Sequence, residues 1–155
     1  KMKIKLESLK HKLDTSRSLL TISEKHMITA QTSSTYTTEI KSQSHSIIAD
    51  EPTDLGGNNL GMNPNELLQA SLASCTSITL KMYLNRKKWD ISNIQVDISS
   101  DKEKPGSDLD IYKSIKLKGN VDQKQLDRLH YIAGRCPIHR ILEKSVKIHS
   151  QIALI

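Results

Sequence analysis

From Leu67 to Leu80 the chain carries no charged residue, and no other stretch limits the fold as severely. A helix-start signal precedes it. Asn63 can cap the first free N–H groups, Pro64 suits a first helical turn, and Glu66 stands where a side chain can reach back to the cap. The run is shorter than a membrane span and its flanks are polar, so it reads as a helix of a folded core, buried on nearly all sides. Ser71, Ala73, Ser74 and Ser77 are small enough to let neighbouring backbone come close. Cys75 lies in the middle. The only other cysteine, Cys136, follows in Arg135-Cys136-Pro137-Ile138-His139-Arg140.

The segments around this helix alternate between β and α character. Thr35–Ile40 and Ser46–Ala49 predict two strands joined near Ser42–Ser44, and Asp50-Glu51-Pro52 ends the second. Leu55-Gly56-Gly57-Asn58-Asn59-Leu60-Gly61 predicts a flexible loop leading into the helix. Its glycine pair matches neither phosphate-binding Gly pattern, so it reads as a tight turn. Arg86-Lys87-Lys88 complements the dipole at the end of the long helix. Ile94, Val96 and Ile98 predict a half-buried strand, Lys104–Asp108 a turn, and Ile111, Ile115 and Leu117 another strand. Asp122 caps a second helix with Leu126, Leu129 and Ala133 inward, and Gly134 stops it. Cys136-Pro137 opens a short third helix, and Val146, Ile148, Ser150 and Ile152 predict a closing strand. The fold class is α+β with antiparallel hairpins.

Length and charge narrow the functional classes. A chain of 155 residues fits one core, with residues 1–25 as an N-terminal extension and 26–155 as the domain. Met2, Leu6, Leu9 and Leu13 recur there at helical spacing, in a stripe too narrow to argue for a membrane surface. Much of the net charge of +6 comes from residues 1–26, and the remainder is nearly balanced with no groove-reading motif. With no Phe and one Trp there is no aromatic platform for single strands. Neither nucleic acid nor membrane is an expected partner. Two cysteines and no recognisable secretory signal point to the cytoplasm.

Chemistry therefore concentrates on the cysteines. On local sequence alone, Cys75 reads as an inert core thiol. Cys136 differs: it precedes Pro137 at a helix start between Arg135 and Arg140, where a thiolate is favoured. The pair suggests a dithiol/disulfide couple. Cys136 and His139 have ligand-like spacing, but a structural zinc needs four ligands and no second Cys-x-x-Cys exists, so no metal and no other cofactor is expected.

Asp50-Glu51-Pro52, Gly56-Gly57, Asn63-Pro64-x-Glu66-Leu67-Leu68-x-Ala70-Ser71-Leu72-Ala73-Ser74-Cys75-Thr76 and Thr79-Leu80-x-Met82-Tyr83 resemble the OsmC/Ohr family of hydroperoxide reductases. Lys87-x-Trp89, Ile115-x-Leu117-x-Gly119 and Cys136-Pro137-Ile138-His139-Arg140-x-Leu142 extend the resemblance, which is strongest to the broad OsmC-like subgroup. It implies an intertwined homodimer, with antiparallel sheets wrapped around long central helices and sites at the subunit interface. It makes Cys75 the peroxidatic cysteine and Cys136 the resolving one. An organic hydroperoxide is the implied substrate and an external thiol the reductant. Leu68, Leu72 and Met82 would line an apolar substrate pocket.

Two departures accompany the resemblance. Where better-characterised members place a glutamate that helps hold an arginine over the thiolate, this chain has Asn65, with Glu66 next to it. The family arginine belongs to the N-terminal strand region, and here Arg17 is the only arginine before Arg86. Glu66 and Arg17 are the supporting candidates. Two readings follow: a thiol-dependent peroxidase, or a non-enzymatic dimeric binding or redox-sensing protein with an apolar interface pocket.

Overall fold

Short threonine- and isoleucine-containing segments open the described part of the chain. A computed structural model describes residues 27–101, 109–150 and 152–154. The expectations for residues 1–25, including Arg17, and the turn at Lys104–Asp108 lie outside the described residues. The architecture is α+β, and the chain divides into two units between Pro64 and Asn65.

In the first unit, β1 (Thr29–Thr32), β2 (Thr38–Lys41) and β3 (Ser46–Ala49) form an antiparallel sheet in that order. Ala30 pairs with Ile40, which pairs with Ile47 on its other side. The second strand starts later than the sequence suggests. Thr35 and Thr37 bond each other's hydroxyls and the Thr37 N–H donates to Thr35 Oγ1, a local bend that competes with the ladder.

The glycine-containing loop is tied down rather than flexible. Asp50 is buried, and its carboxylate accepts hydrogen bonds from the Thr37 hydroxyl at 3.0 Å and from the N–H groups of Glu51, Asn58 and Leu60 at 2.9, 3.2 and 3.4 Å. Burial pushes the Asp50 pKa up, but these donors outweigh it and hold the carboxyl below its usual value. A 3₁₀ turn, Thr53–Leu55, ends on Gly56 with φ of 87°, the left-handed region glycine tolerates. Gly57 is required for closeness: a Cβ there would run into the Glu51 backbone carbonyl.

The second unit holds the main core. α1 (Pro64–Lys87) buries Leu72, Thr76, Leu80 and Leu84, four residues apart on one stripe, together with Tyr83. β4 (Ile91–Ser100) and β5 (Ile111–Gly119) pair antiparallel, with Val96 opposite Ile115 and a bulge at Ile91/Asn93. α2 (Gln123–Ala133) adds Leu129 and Ala133. These converge on a cluster of Leu80, Tyr83, Leu84, Ile91, Leu129 and Ala133, with Trp89, Ile94, Ile115 and Leu117 packed around it.

Burial of α1 differs from the sequence expectation. Only one face is covered, while Ile78 and Met82 are 59 and 69% exposed. One two-stranded sheet and one short helix cannot enclose both sides of a helix this long. The absence of charge from Leu67 to Leu80 thus overstates how much one chain buries.

Asp122 caps α2 as expected, in a reciprocal box with Gln125: each backbone N–H donates to the other's side chain, at 2.7 and 2.9 Å. Gly134 ends the helix with right-handed φ of −77°, so the left-handed stop is not used. α3 (Pro137–Leu142) follows at once, with Pro137 in its first turn. The closing strand does not form. Residues 145–150 are irregular, and Val146 and Ile148 are 61 and 87% exposed. An alternating apolar segment becomes a strand only where an edge offers it N–H and C=O partners, and no described strand pairs with this one.

Candidate functional site

Two local features bring the cysteines together. Cys75 lies on α1 one residue before the buried Thr76, partly exposed beside the packed stripe. Cys136 is the N-cap of α3 and is completely buried. Its Sγ accepts the His139 backbone N–H at 3.4 Å, a helix-start bond that points the sulfur back toward α1. Both cysteines are free, and the two thiols are near enough to influence each other's ionisation.

That proximity sets the two thiols apart. For Cys75, burial pushes the pKa up, and donation to a charged Cys136 pushes it further; bonds from the Ile138 N–H and the Thr79 hydroxyl oppose this without prevailing. For Cys136, burial also pushes the pKa up, but donation from Cys75, the N–H groups of His139 and Ile138, and the Thr76 hydroxyl together bring it below the usual thiol value. Of the two thiols, Cys136 is the one whose ionisation is favoured and Cys75 the one held in its protonated form. Thr76 is fully buried, and its hydroxyl has no hydrogen-bond partner. Its influence on the nearby Cys136 is to favour the thiolate.

Lys113 is the feature that sequence reasoning missed. It occupies the inward face of β5, where Ile111, Ile115 and Leu117 alternate with exposed residues. Its Nζ donates to the Ala133 carbonyl at 3.1 Å and lies 3.3 Å from His139 Nδ1. His139 Nε2 is in turn 3.0 Å from Glu143 Oε1. Burial lowers the Lys113 pKa, while negative charge on Cys136, Glu143 and Cys75 draws it back up. A lysine in the apolar register of a strand was the available signal.

The other sequence candidates scatter. Glu66 is exposed in the first turn of α1, Leu72 is buried, and Leu68 and Met82 are exposed. A cavity of about 240 Å³ has a different lining: Leu80, Lys113, Ile115, Leu117, Leu126, Leu129 and His130. Among the described residues, no group of three or more His, Cys, Asp or Glu could hold a metal ion, and no helix is long and apolar enough to cross a membrane.

Comparisons with known proteins agree with this frame. The chain is similar in structure to a putative osmotic stress induced and detoxification response protein from Psychrobacter arcticus, at 20% identity and a TM-score of 0.67, covering 74% of this chain and 85% of that one. It is also similar to an OsmC-like protein from Mycoplasma pneumoniae, at 19% identity and a TM-score of 0.62, covering 79 and 89%. An organic hydroperoxide resistance protein, OsmC, from Legionella pneumophila aligns at 18% identity and a TM-score of 0.57, covering 75 and 87%. No curated protein matches the sequence. A family model described as OsmC-like protein matches residues 56–151, a span that contains both cysteines and most of the chain, and the chain therefore belongs to the OsmC-like family.

Proposed function

We propose that this protein is a thiol-dependent peroxidase that reduces organic hydroperoxides with Cys75 and Cys136. The observation that carries the reading is the pairing, within one chain, of a partly exposed Cys75 with a buried Cys136 close enough for each to influence the other's ionisation. Access and charge divide the work. Cys75 is partly exposed and can meet a peroxide, whereas Cys136 is sealed from solvent and is the thiol whose ionisation is favoured. Cys136 thiolate takes the proton of Cys75 as the Cys75 sulfur attacks the distal peroxide oxygen. The O–O bond breaks, Cys75 becomes a sulfenic acid, and the alkoxide leaves as the alcohol with the proton that Cys136 had taken, which returns Cys136 to its thiolate. Cys136 sulfur then attacks Cys75 sulfur and hydroxide leaves, protonated to water, as the disulfide forms. Two external thiols restore the dithiol and become a disulfide themselves. A family that includes a relative described as an organic hydroperoxide resistance protein makes such peroxides the first substrates to try.

The working form is a homodimer in the cytoplasm. Ile78 and Met82 on α1, and Val146, Ile148, Ile152 and Leu154 near the C-terminus, are exposed apolar groups that a second copy would cover.

One equivalent of an organic hydroperoxide is expected to convert the reduced protein to an intramolecular Cys75–Cys136 disulfide, read by mass spectrometry as the loss of two hydrogens. Cys136→Ser should hold Cys75 as sulfenic acid, and Cys75→Ser should end peroxide consumption. Full peroxide consumption by Cys75→Ser would make Cys75 a packing residue. Disulfide formation without catalytic turnover in excess dithiol would favour a redox sensor instead.

A further inference from the structure

We propose that Lys113 is the cation of the cysteine pair: it clasps the segment carrying Cys136 from both sides and sets the charge that Cys136 uses to resolve oxidised Cys75. The clasp is geometric. Ala133 lies three residues before Cys136 and His139 three residues after, and Lys113 Nζ reaches both, at 3.1 and 3.3 Å. The link between α2 and α3 is thereby held over the inward face of β5, with Cys136 between the two anchors.

Proton bookkeeping in the cluster fits a charged lysine. Glu143 Oε1 accepts from His139 Nε2, which makes Nε2 the protonated nitrogen of a neutral ring and leaves the Nδ1 lone pair to accept from the ammonium. The same His139 donates its backbone N–H to Cys136 Sγ. A single residue thus joins the lysine to the sulfur. The groups facing Lys113 are Cys75 from α1, His130 of α2 in the shared cavity, and Cys136, His139 and Glu143 around α3. Burial is the largest influence and opposes its charged form, while negative charge on Cys136 and Glu143, and on Cys75 once ionised, favours it.

An ammonium in a half-buried site acts strongly on a neighbouring thiolate because little water intervenes. The arginine sought before the first cysteine motif has no counterpart in residues 27–85. Lys113 supplies positive charge from a different element and favours the resolving cysteine. Its part in resolution rests on the peroxidase reading, whereas its effect on the Cys136 thiol does not.

The test separates the two. In a Cys75→Ser background the only thiolate absorbance in the ultraviolet comes from Cys136. Lys113→Met, similar in volume, should lower the thiolate fraction at neutral pH about tenfold, the scale of losing one close charge. Lys113→Arg should restore it to within about twofold. With both cysteines present, Lys113→Met should slow disulfide closure after a hydroperoxide pulse by a similar factor and let the sulfenic acid persist. An unchanged Cys136 titration in folded Lys113→Met overturns the proposal. If the parent never oxidises, the peroxidase reading fails while the titration still decides the role of Lys113. A reciprocal measurement needs no lysine variant: by NMR, Lys113 should lose its proton at lower pH in Cys136→Ser than in the parent. Identical Lys113 titrations would also overturn the proposal.

Discussion

Thr76 places an unpaired hydroxyl inside the second unit, against the expectation that buried polar groups find partners. Such a group costs about 1–3 kcal/mol when nothing bonds it. The same hydroxyl favours charge on the Cys136 sulfur, so a thiolate there would offset the cost by accepting from it. Thr76→Val keeps the shape and removes the dipole. Its denaturant unfolding should be neutral to about 1 kcal/mol more stable than the parent, while Cys136 should titrate at higher pH. Lost stability with an unchanged titration would assign the hydroxyl to packing alone. The two cysteines also act oppositely on stability. The depressed Cys136 value stabilises the fold above the unfolded thiol pKa, and that contribution is lost as pH falls through the folded one. The raised Cys75 value stabilises below the unfolded pKa and is lost as pH rises through its folded one.

The long helix α1 ends in strain. Lys88 follows its last residue with φ of 56°, a left-handed conformation that costs a side-chain-bearing residue roughly 1–2 kcal/mol. The Trp89 N–H donates to the Leu84 carbonyl at 3.1 Å across this stop. Just before it, Arg86 lies over the Tyr83 ring at 5.3 Å, and Arg128 reaches the same ring from α2 at 5.7 Å. Lys88→Gly should therefore raise stability by about 0.5–1 kcal/mol in chemical denaturation, after the extra freedom glycine gives the unfolded chain. A loss of stability would mean the lysine side chain holds the stop. Elements with strong local signals were legible in advance. Asp122 with Gln125, the Asn63-Pro64 helix start and Cys136-Pro137 each encode a boundary within a few residues, and each element forms there. The strand expected at Val146–Ile152 failed because alternation reports a face to bury, while pairing depends on an edge that lies elsewhere. The Asp50-centred loop read as flexible because four donors from separate positions converge only after folding. Lys113 escaped notice for a similar reason: its partners come from α2 and α3, distant in sequence.

At the scale of the whole molecule, exposed apolar surface is the dominant fact. Ile78, Met82, Val146, Ile148, Ile152 and Leu154 are all more than half exposed. Light scattering should find a homodimer at micromolar concentration, and unfolding midpoints should rise with protein concentration. Met82→Lys, remote from the buried stripe, should shift the population toward monomer while leaving the second unit folded. A stable monomer of the parent would remove the dimer from the proposal. Against that assembly, the location of the sulfur pair has a consequence for stoichiometry. Under the proposed peroxidase reading both sulfurs belong to one chain, so oxidising equivalents would be counted per chain and not per assembly. A mixed dimer holding one crippled copy would keep half its capacity, and a population carrying both versions would lose function in proportion, without one copy poisoning the other.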